Sequence, residues 1–322
     1  MRENNRFFSD RLIMEIDAKK SLVVVGLDPE YLKIPLFFRE APLAKFGETL
    51  KGVAQTIISF NKCIIDVVAP FVVAIKPQIA FYELIGIGGL EAFVETVKYA
   101  KEKGLIVIED AKRNDIGNTA QAYSRGHIGR VILRDGLEQP VFDVDAITVN
   151  PYLGSDGIKP FLEDIDKHGK GIFVLVKTSN PSSSEVQDLL LENGNTRLFQ
   201  HVAKLVNGWG RDVIGLRGYS SVGAVVGATF PEHAKILRAI MPNSIFLVPG
   251  YGAQGASGKD IIPCFNKDGY GAVISASRSI NYPHIDDLNI SESSFKALVK
   301  KAIDNMNNDI NETLMVNGLL PW

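Results

Sequence analysis

Eight short apolar, β-branched runs recur along this chain, and each is followed on its carboxyl side by polar residues. They are Leu22–Leu27, Phe71–Ile75, Leu105–Ile108, Ala146–Val149, Gly171–Val176, Gly223–Val226, Ile245–Val248 and Ala272–Ser275. Most are continuous rather than alternating, as expected of parallel strands buried on both faces. Between them lie helical spacings. A long apolar stripe runs from Phe46 to Val68, and Leu90, Phe93, Val94 and Val97 follow the i, i+3, i+4, i+7 pattern. Pro231–Ile240 and Ser257–Phe265 are shorter candidates, and Gly86-Ile87-Gly88-Gly89 reads as a loop before a helix. Phe295, Leu298, Val299, Ala302, Ile303 and Met306 mark a closing helix that begins near Ser291 or Ser293. Strict alternation of eight strands with helices predicts an α/β fold, a (β/α)8 TIM barrel, as a single domain over residues 1–322.

An open doubly wound sheet also alternates. The polar residues at the carboxyl ends of the runs separate the two. Asp28, Lys76, Asp110 with Lys112, Asn150, Thr178 with Ser179, Thr229, Gln254 and Arg278 come after the eight runs in order. In a closed barrel they converge on one mouth; an open sheet spreads them along an edge.

Composition removes several function classes. A net charge of −2 offers no global positive field for a polyanion, so nucleic acid is not expected. A small phosphorylated ligand needs only a few local donors. Cys63 and Cys264 cannot form a disulfide framework and read as core filling, which suits a reducing compartment. No apolar segment near the N-terminus has the length of a signal peptide, and no stretch spans a bilayer, so a cytoplasmic protein without membrane contact is expected. The five histidines, His127, His168, His201, His233 and His284, have no metal-ligand spacing and read as surface or capping residues.

The most informative segment is Ile108-Glu109-Asp110-Ala111-Lys112-Arg113-Asn114-Asp115-Ile116. A charge cluster is usually a solvated face, but here an apolar strand runs directly into it. Asp110 and Lys112 are two apart on an extended backbone, which points both side chains to one side. Lys76 ends the neighbouring strand and brings a second ammonium. Alternating carboxylates and ammoniums hold one another ionised and fix one another's rotamers.

Asp110-x-Lys112-x-x-Asp115, with Lys76 in Ile75-Lys76-Pro77, resembles the Lys/Asp/Lys/Asp tetrad of the orotidine monophosphate decarboxylase family. The likeness extends to Gly26-Leu27-Asp28-Pro29, Lys177-Thr178-Ser179-Asn180-Pro181, Pro249-Gly250-Tyr251-Gly252-Ala253-Gln254 and Ser277-Arg278-Ser279-Ile280, in family order, and its details resemble the longer subgroup. The resemblance implies decarboxylation of orotidine 5'-monophosphate to uridine 5'-monophosphate without a cofactor or metal. It makes Lys76, Asp110, Lys112 and Asp115 the catalytic cluster, with Lys112 as the cation at C6 and its proton donor. It also implies that Asp28 and Asp115 hold the ribose, assisted by Thr119, and that Ser179 and Thr178 bond the pyrimidine edge. Gln254, Arg278 and amides near Gly252 would take the phosphate. In that family Asp115 and Thr119 reach the partner's site, which implies a homodimer.

Gly250-Tyr251-Gly252-Ala253-Gln254-Gly255 also satisfies GxGxxG, but it comes after a seventh strand, and the next strand leads to Arg278 rather than to an acidic ribose ligand. A glycine turn beside a guanidinium fits a phosphate cradle instead. Two rivals remain. One is a metal-using sugar-phosphate aldolase or epimerase, which would want a carboxylate where this chain has Lys76. The other is a silent phosphate-binding barrel, in which paired buried charges would cost stability without return.

Overall fold

The computed structural model describes residues 7–192, 194–252, 255 and 257–322. Eight strands form its centre: β1 (Val23–Leu27), β2 (Ala74–Pro77), β3 (Ile106–Arg113), β4 (Ala146–Val149), β5 (Gly171–Lys177), β6 (Ser220–Val226), β7 (Ser244–Pro249) and β8 (Ala272–Ala276). They close into a barrel in the order β1-β8-β7-β6-β5-β4-β3-β2, and every pairing is parallel. Each strand therefore lies between its sequence neighbours, the arrangement of a (β/α)8 barrel. Each of the eight predicted runs overlaps one of these strands, although residues 71–73 of the second run precede β2. Strands β1, β2, β4, β6 and β8 are buried along their whole length, because one set of side chains fills the barrel and the other meets the helices.

The helices depart from expectation in instructive places. The stripe from Phe46 is two helices, Leu36–Phe46 and Leu50–Val68. Gly47 breaks them with a left-handed φ of +67°, and Thr49 caps the second by accepting from Gly52 N at 3.2 Å. Gly88 and Gly89 are not loop; they lie in the first turn of the helix Ile87–Glu102, where a Cβ on Gly89 would stand 1.9 Å from the Tyr82 carbonyl oxygen. Ser257–Phe265 resolves into a short helix, Gly258–Ile261, and a 3-10 turn, Ile262–Cys264. The closing helix spans Glu292–Val316, with Ser291 accepting from Ser294 N at 3.2 Å as its cap.

An N-terminal helix, Phe8–Lys19, closes the barrel end away from the polar mouth. Phe8 packs edge-on against Phe173 at 5.9 Å, and Asp10 accepts from Leu216 N and Arg217 N at 2.9 and 3.0 Å. Among the described residues, no helix is long and apolar enough to cross a membrane. Cys63 and Cys264 are both buried and unbridged. Two histidines correct the sequence reading, since His127 and His284 are buried. His284 donates from Nε2 to the Lys33 carbonyl at 2.9 Å, and His127 pairs through Nδ1 with Glu109 at 2.6 Å.

Candidate active site

Strand β2 ends in Lys76-Pro77, so the apolar run delivers an ammonium to the carboxyl end of the barrel. Lys76 is buried and donates to Asp110 Oδ2 at 2.8 Å. Lys112 donates to the other oxygen, Oδ1, at 2.5 Å. One carboxylate is therefore held between two ammoniums. Burial alone would raise the Asp110 pKa, but the charges of Lys76 and Lys112 and their hydrogen bonds hold the carboxyl well below the usual carboxylate range. Burial likewise disfavours the Lys76 cation, and Asp110 and Asp28 more than compensate, raising its pKa. Asp110 and Lys76 are therefore both ionised at neutral pH.

The meeting of Asp110 and Lys112 has a different cause from the one their spacing suggested. The pairing of β3 with β4 shifts register between Glu109 and Arg113, and Lys112 adopts a left-handed φ of +51°. A bulge of this kind re-aims a side chain at the end of a strand. Thr148 of β4 supports it: its Oγ1 accepts from Ala111 N and Lys112 N, both at 2.9 Å, and donates to Asp110 Oδ1 at 3.1 Å. Nothing in the sequence marks Thr148, which sits inside an apolar run as an ordinary strand former.

The cluster stands where two lobes of one cleft join. The first lobe, about 430 Å³, takes Lys112, Thr148, Thr178 and Ser179 together with apolar Leu175, Val225 and Leu247. The second, about 300 Å³, takes Asp28, Gly250, Tyr251, Ser277 and Arg278. Lys76, Asp110 and Pro249 line both. Asp28 presents a buried Oδ1 without a hydrogen-bond partner among the described residues. Two close approaches need glycine. A Cβ on Gly26 would stand 1.9 Å from Ser277 Oγ, and one on Gly227 would stand 2.9 Å from the Ser179 backbone.

The loop after β5 is braced by Asp188 and Gln187, which no motif marks. Lys177, fully buried, donates to Asp188 Oδ1 and Oδ2, both at 3.0 Å, with the Phe230 ring 4.5 Å away. Gln187 accepts from Thr178 N at 3.0 Å and donates to Thr178 Oγ1 at 2.8 Å, which sets how Thr178 faces the cleft. Thr229 ties the same loop, donating to the Ser179 carbonyl at 3.4 Å.

Other predicted residues are not brought together within one chain. Asp115 and Thr119 stand outside both lobes. Asp115 accepts from Ile116 N at 2.8 Å, and Thr119 is exposed on the helix Gly117–His127. Gly252 turns with φ +69° just beyond the lining residues Gly250 and Tyr251. Gln254 lies outside the described residues. Among the described residues, no group of three or more His, Cys, Asp or Glu side chains is placed to hold a metal ion.

Fold and site together define a (β/α)8-barrel enzyme whose charged groups converge at the carboxyl end of the strands, the face on which such barrels do chemistry. The chain belongs to the orotidine 5'-phosphate decarboxylase / HUMPS family, whose profile matches residues 21–282. It is 42% identical over 307 residues to the orotidine 5'-phosphate decarboxylase of Caldicellulosiruptor bescii, covering 95% of this chain and 99% of that one. The Rhodopirellula baltica protein of the same name is 40% identical over 94% of this chain and 98% of its own length. Among solved structures, the Leishmania donovani OMP decarboxylase superposes with a TM-score of 0.71 at 28% identity, covering 96% of this chain and 99% of that one.

Proposed function

We infer that this chain converts orotidine 5'-monophosphate to uridine 5'-monophosphate, the last step of de novo pyrimidine nucleotide synthesis. Family membership and full-length similarity to named decarboxylases support the reaction. The observation that carries the mechanism is the difference between the two lysines. Lys76 touches the cleft but is largely buried, with 7% of its side chain exposed, whereas Lys112, which also lines the cleft, is 46% exposed. Of the two, Lys112 is the more open to a ligand.

The C6–carboxylate bond breaks, carbon dioxide leaves, and the electron pair stays on C6. A fixed cation at that carbon stabilises the developing charge. Lys112 then transfers an Nζ proton to C6 and is reprotonated from solvent. Asp110 lies near the departing carboxylate, and Lys76 and Asp110 hold Lys112 in position, with Asp115 reaching it from the partner protomer. Thr178 and Ser179 meet the pyrimidine in the first lobe. Asp28 accepts from the ribose, and Arg278 takes the phosphate at the second lobe, with the amides around Gly252 and, by family resemblance, Gln254. The two lobes thus place the cluster between base and phosphate, which suits binding energy from a remote group spent at the reacting carbon.

The working enzyme is a cofactor-independent, cytoplasmic homodimer of single-barrel protomers, in which Asp115 and Thr119 complete the partner's site. Their position outside their own chain's cleft supports this reading. Turnover of orotidine 5'-monophosphate, followed by loss of its absorbance after exhaustive chelation, is the test. Persisting activity is expected. Activity lost to chelator and restored by magnesium would favour the metal-using aldolase chemistry instead. For the dimer, Lys112→Ala and Asp115→Ala homodimers, each inactive, are unfolded, mixed and refolded together. Hybrids with one intact site should restore roughly a quarter of wild-type activity. Mixtures that stay inactive would place Asp115 in its own chain's site.

A further inference from the structure

We propose that Thr148 is a positioning residue for Lys112, its hydroxyl holding the backbone turn that aims the ammonium into the cleft. The inference rests on the reading of Lys112 as proton donor.

A threonine hydroxyl has one proton to give and two lone pairs to receive with. At Thr148 all three are used within the chain. Ala111 N and Lys112 N both donate to Oγ1 at 2.9 Å, which fills the lone pairs. The proton is then left with one direction, toward Asp110 Oδ1 at 3.1 Å. The hydroxyl is thus oriented without ambiguity, and it reaches both the carboxylate and the backbone of the lysine that pairs with it.

The backbone it holds is unfavourable by itself. Lys112 has φ +51°, a region that residues with a Cβ rarely occupy unless their surroundings impose it. Thr148 supplies the imposition by giving two successive amides a single acceptor. Without the hydroxyl those amides lose their partner, and Lys112 is free to return to the extended conformation. The turn that fixes the aim of the ammonium and its 2.5 Å contact with Asp110 Oδ1 would then no longer be imposed. Thr148 is itself well fixed: it is buried in β4 and β-branched, so few rotamers are open to it. The neighbouring ion pair runs from Lys76 to Asp110 Oδ2, the oxygen that Thr148 does not touch. Loss of the hydroxyl should therefore disturb Lys112 more than it disturbs the cluster as a whole.

The experiment compares Thr148→Val, Thr148→Ala and Thr148→Ser with Lys112→Ala, measuring kcat, KM and calorimetric affinity for uridine 5'-monophosphate. Valine keeps the shape and removes the hydroxyl. We expect kcat to fall at least about thirtyfold in the valine and alanine variants, with KM and product affinity changed less than about threefold. Serine should keep kcat within about threefold of wild type. If valine does not yield folded protein, the contrast between alanine and serine decides by the same thresholds. A hydroxyl-free variant with near-wild-type kcat, while Lys112→Ala is inactive, overturns the role of Thr148 alone. Equal losses in serine and valine overturn it too, since packing rather than the hydroxyl would then matter. A rise in KM at constant kcat would make Thr148 a binding residue and also overturn the proposal. If Lys112→Ala itself retains activity, the reading of Lys112 fails and this inference falls with it.

Discussion

Lys112 reaches Asp110 Oδ1 at 2.5 Å from a left-handed backbone, and nearly half of its side chain remains open to the cleft. The pair therefore joins a fixed anion to a cation that can still meet a ligand. Burial has kept its electrostatics strong, because the carboxylate is shielded from water while the ammonium faces the space where substrate sits.

Removing that ammonium should abolish turnover while leaving much of the binding. Lys112→Ala removes one lining residue of the first lobe and leaves Thr178 and Ser179 there, and Asp28 and Arg278 in the second, in place. A product analogue should bind within an order of magnitude of wild type. Steady-state and single-turnover rates with orotidine 5'-monophosphate give the check. A variant that keeps more than about a tenth of wild-type kcat, a loss below roughly 1.4 kcal/mol, would remove Lys112 from the role of proton donor.

The second prediction concerns pH. The native Asp110 carboxyl titrates well below its ordinary value of 3.8, because the Lys76 and Lys112 charges outweigh the opposing effect of burial. A carboxyl depressed in the folded state contributes stability that is complete above its unfolded value and is lost as pH falls toward its folded one. Lys76 is raised above its ordinary 10.5, so its contribution is complete below that value and is lost only at higher pH. Asp110→Asn leaves the buried Lys76 ammonium with Asp28 alone as compensating charge and should cost about 3 kcal/mol at pH 7. The gap between wild type and variant should narrow as pH falls below about 4. Urea unfolding at pH 7, 5, 4 and 3 measures it, and a gap independent of pH would contradict the assignment.

Much of this arrangement is legible in the sequence, for physical reasons that differ by residue. The strands are readable because parallel strands in a closed barrel are buried on both faces, and β1 and β4 show it without a charged break. Lys76 is readable because it directly follows an apolar run, and Asp110 because it begins the charged segment's inward-facing side, while Glu109 between them in the chain order turns to His127. Thr148 is not, because a β-branched residue in a strand needs no further explanation. The left-handed turn at Lys112 is hidden as well, since that conformation advertises itself only when glycine or asparagine occupies it. The Glu109–His127 contact joins a strand to the helix beyond it, and neither residue has a local pattern that announces the other. Asp115 and Thr119 come only from family resemblance, and a single chain does not bring them to the cleft.

That Glu109–His127 contact yields a third prediction. Glu109 is fully buried in β3, one residue from Asp110, and its Oε2 meets His127 Nδ1 at 2.6 Å. Glu109 Oε1 is buried without a hydrogen-bond partner among the described residues, where the histidine is the partner of the other carboxyl oxygen. His127→Leu should destabilise the protein by about 3 kcal/mol, and adding Glu109→Leu should recover part of that loss. Chemical denaturation of the single and double variants is the measurement. A single-variant cost below about 1 kcal/mol would mean that the pair contributes little to holding the helix Gly117–His127 against β3.

The last prediction tests the phosphate side of the cleft. Arg278 opens the short helix Arg278–Asn281 after β8, and it lines the same lobe as Gly250 and Tyr251 after β7. Far apart in sequence, these groups are neighbours because β7 and β8 pair side by side. A guanidinium can donate two hydrogen bonds to a phosphate in a fixed fork, and positive-φ glycines allow the following backbone to turn its amides toward the same anion. Arg278→Ala should lower kcat/KM for orotidine 5'-monophosphate by roughly a hundredfold, about 2.7 kcal/mol. If the contact strengthens as the transition state forms, kcat falls as well as KM rising. The same substitution should matter far less for orotidine, which has the base and ribose but no phosphate. An exposed arginine without a ligand role would change both substrates little. Measuring kcat/KM for the two substrates in wild type and variant separates these cases: a large loss confined to the phosphorylated substrate is expected, whereas equal losses would show that Arg278 does not read the phosphate.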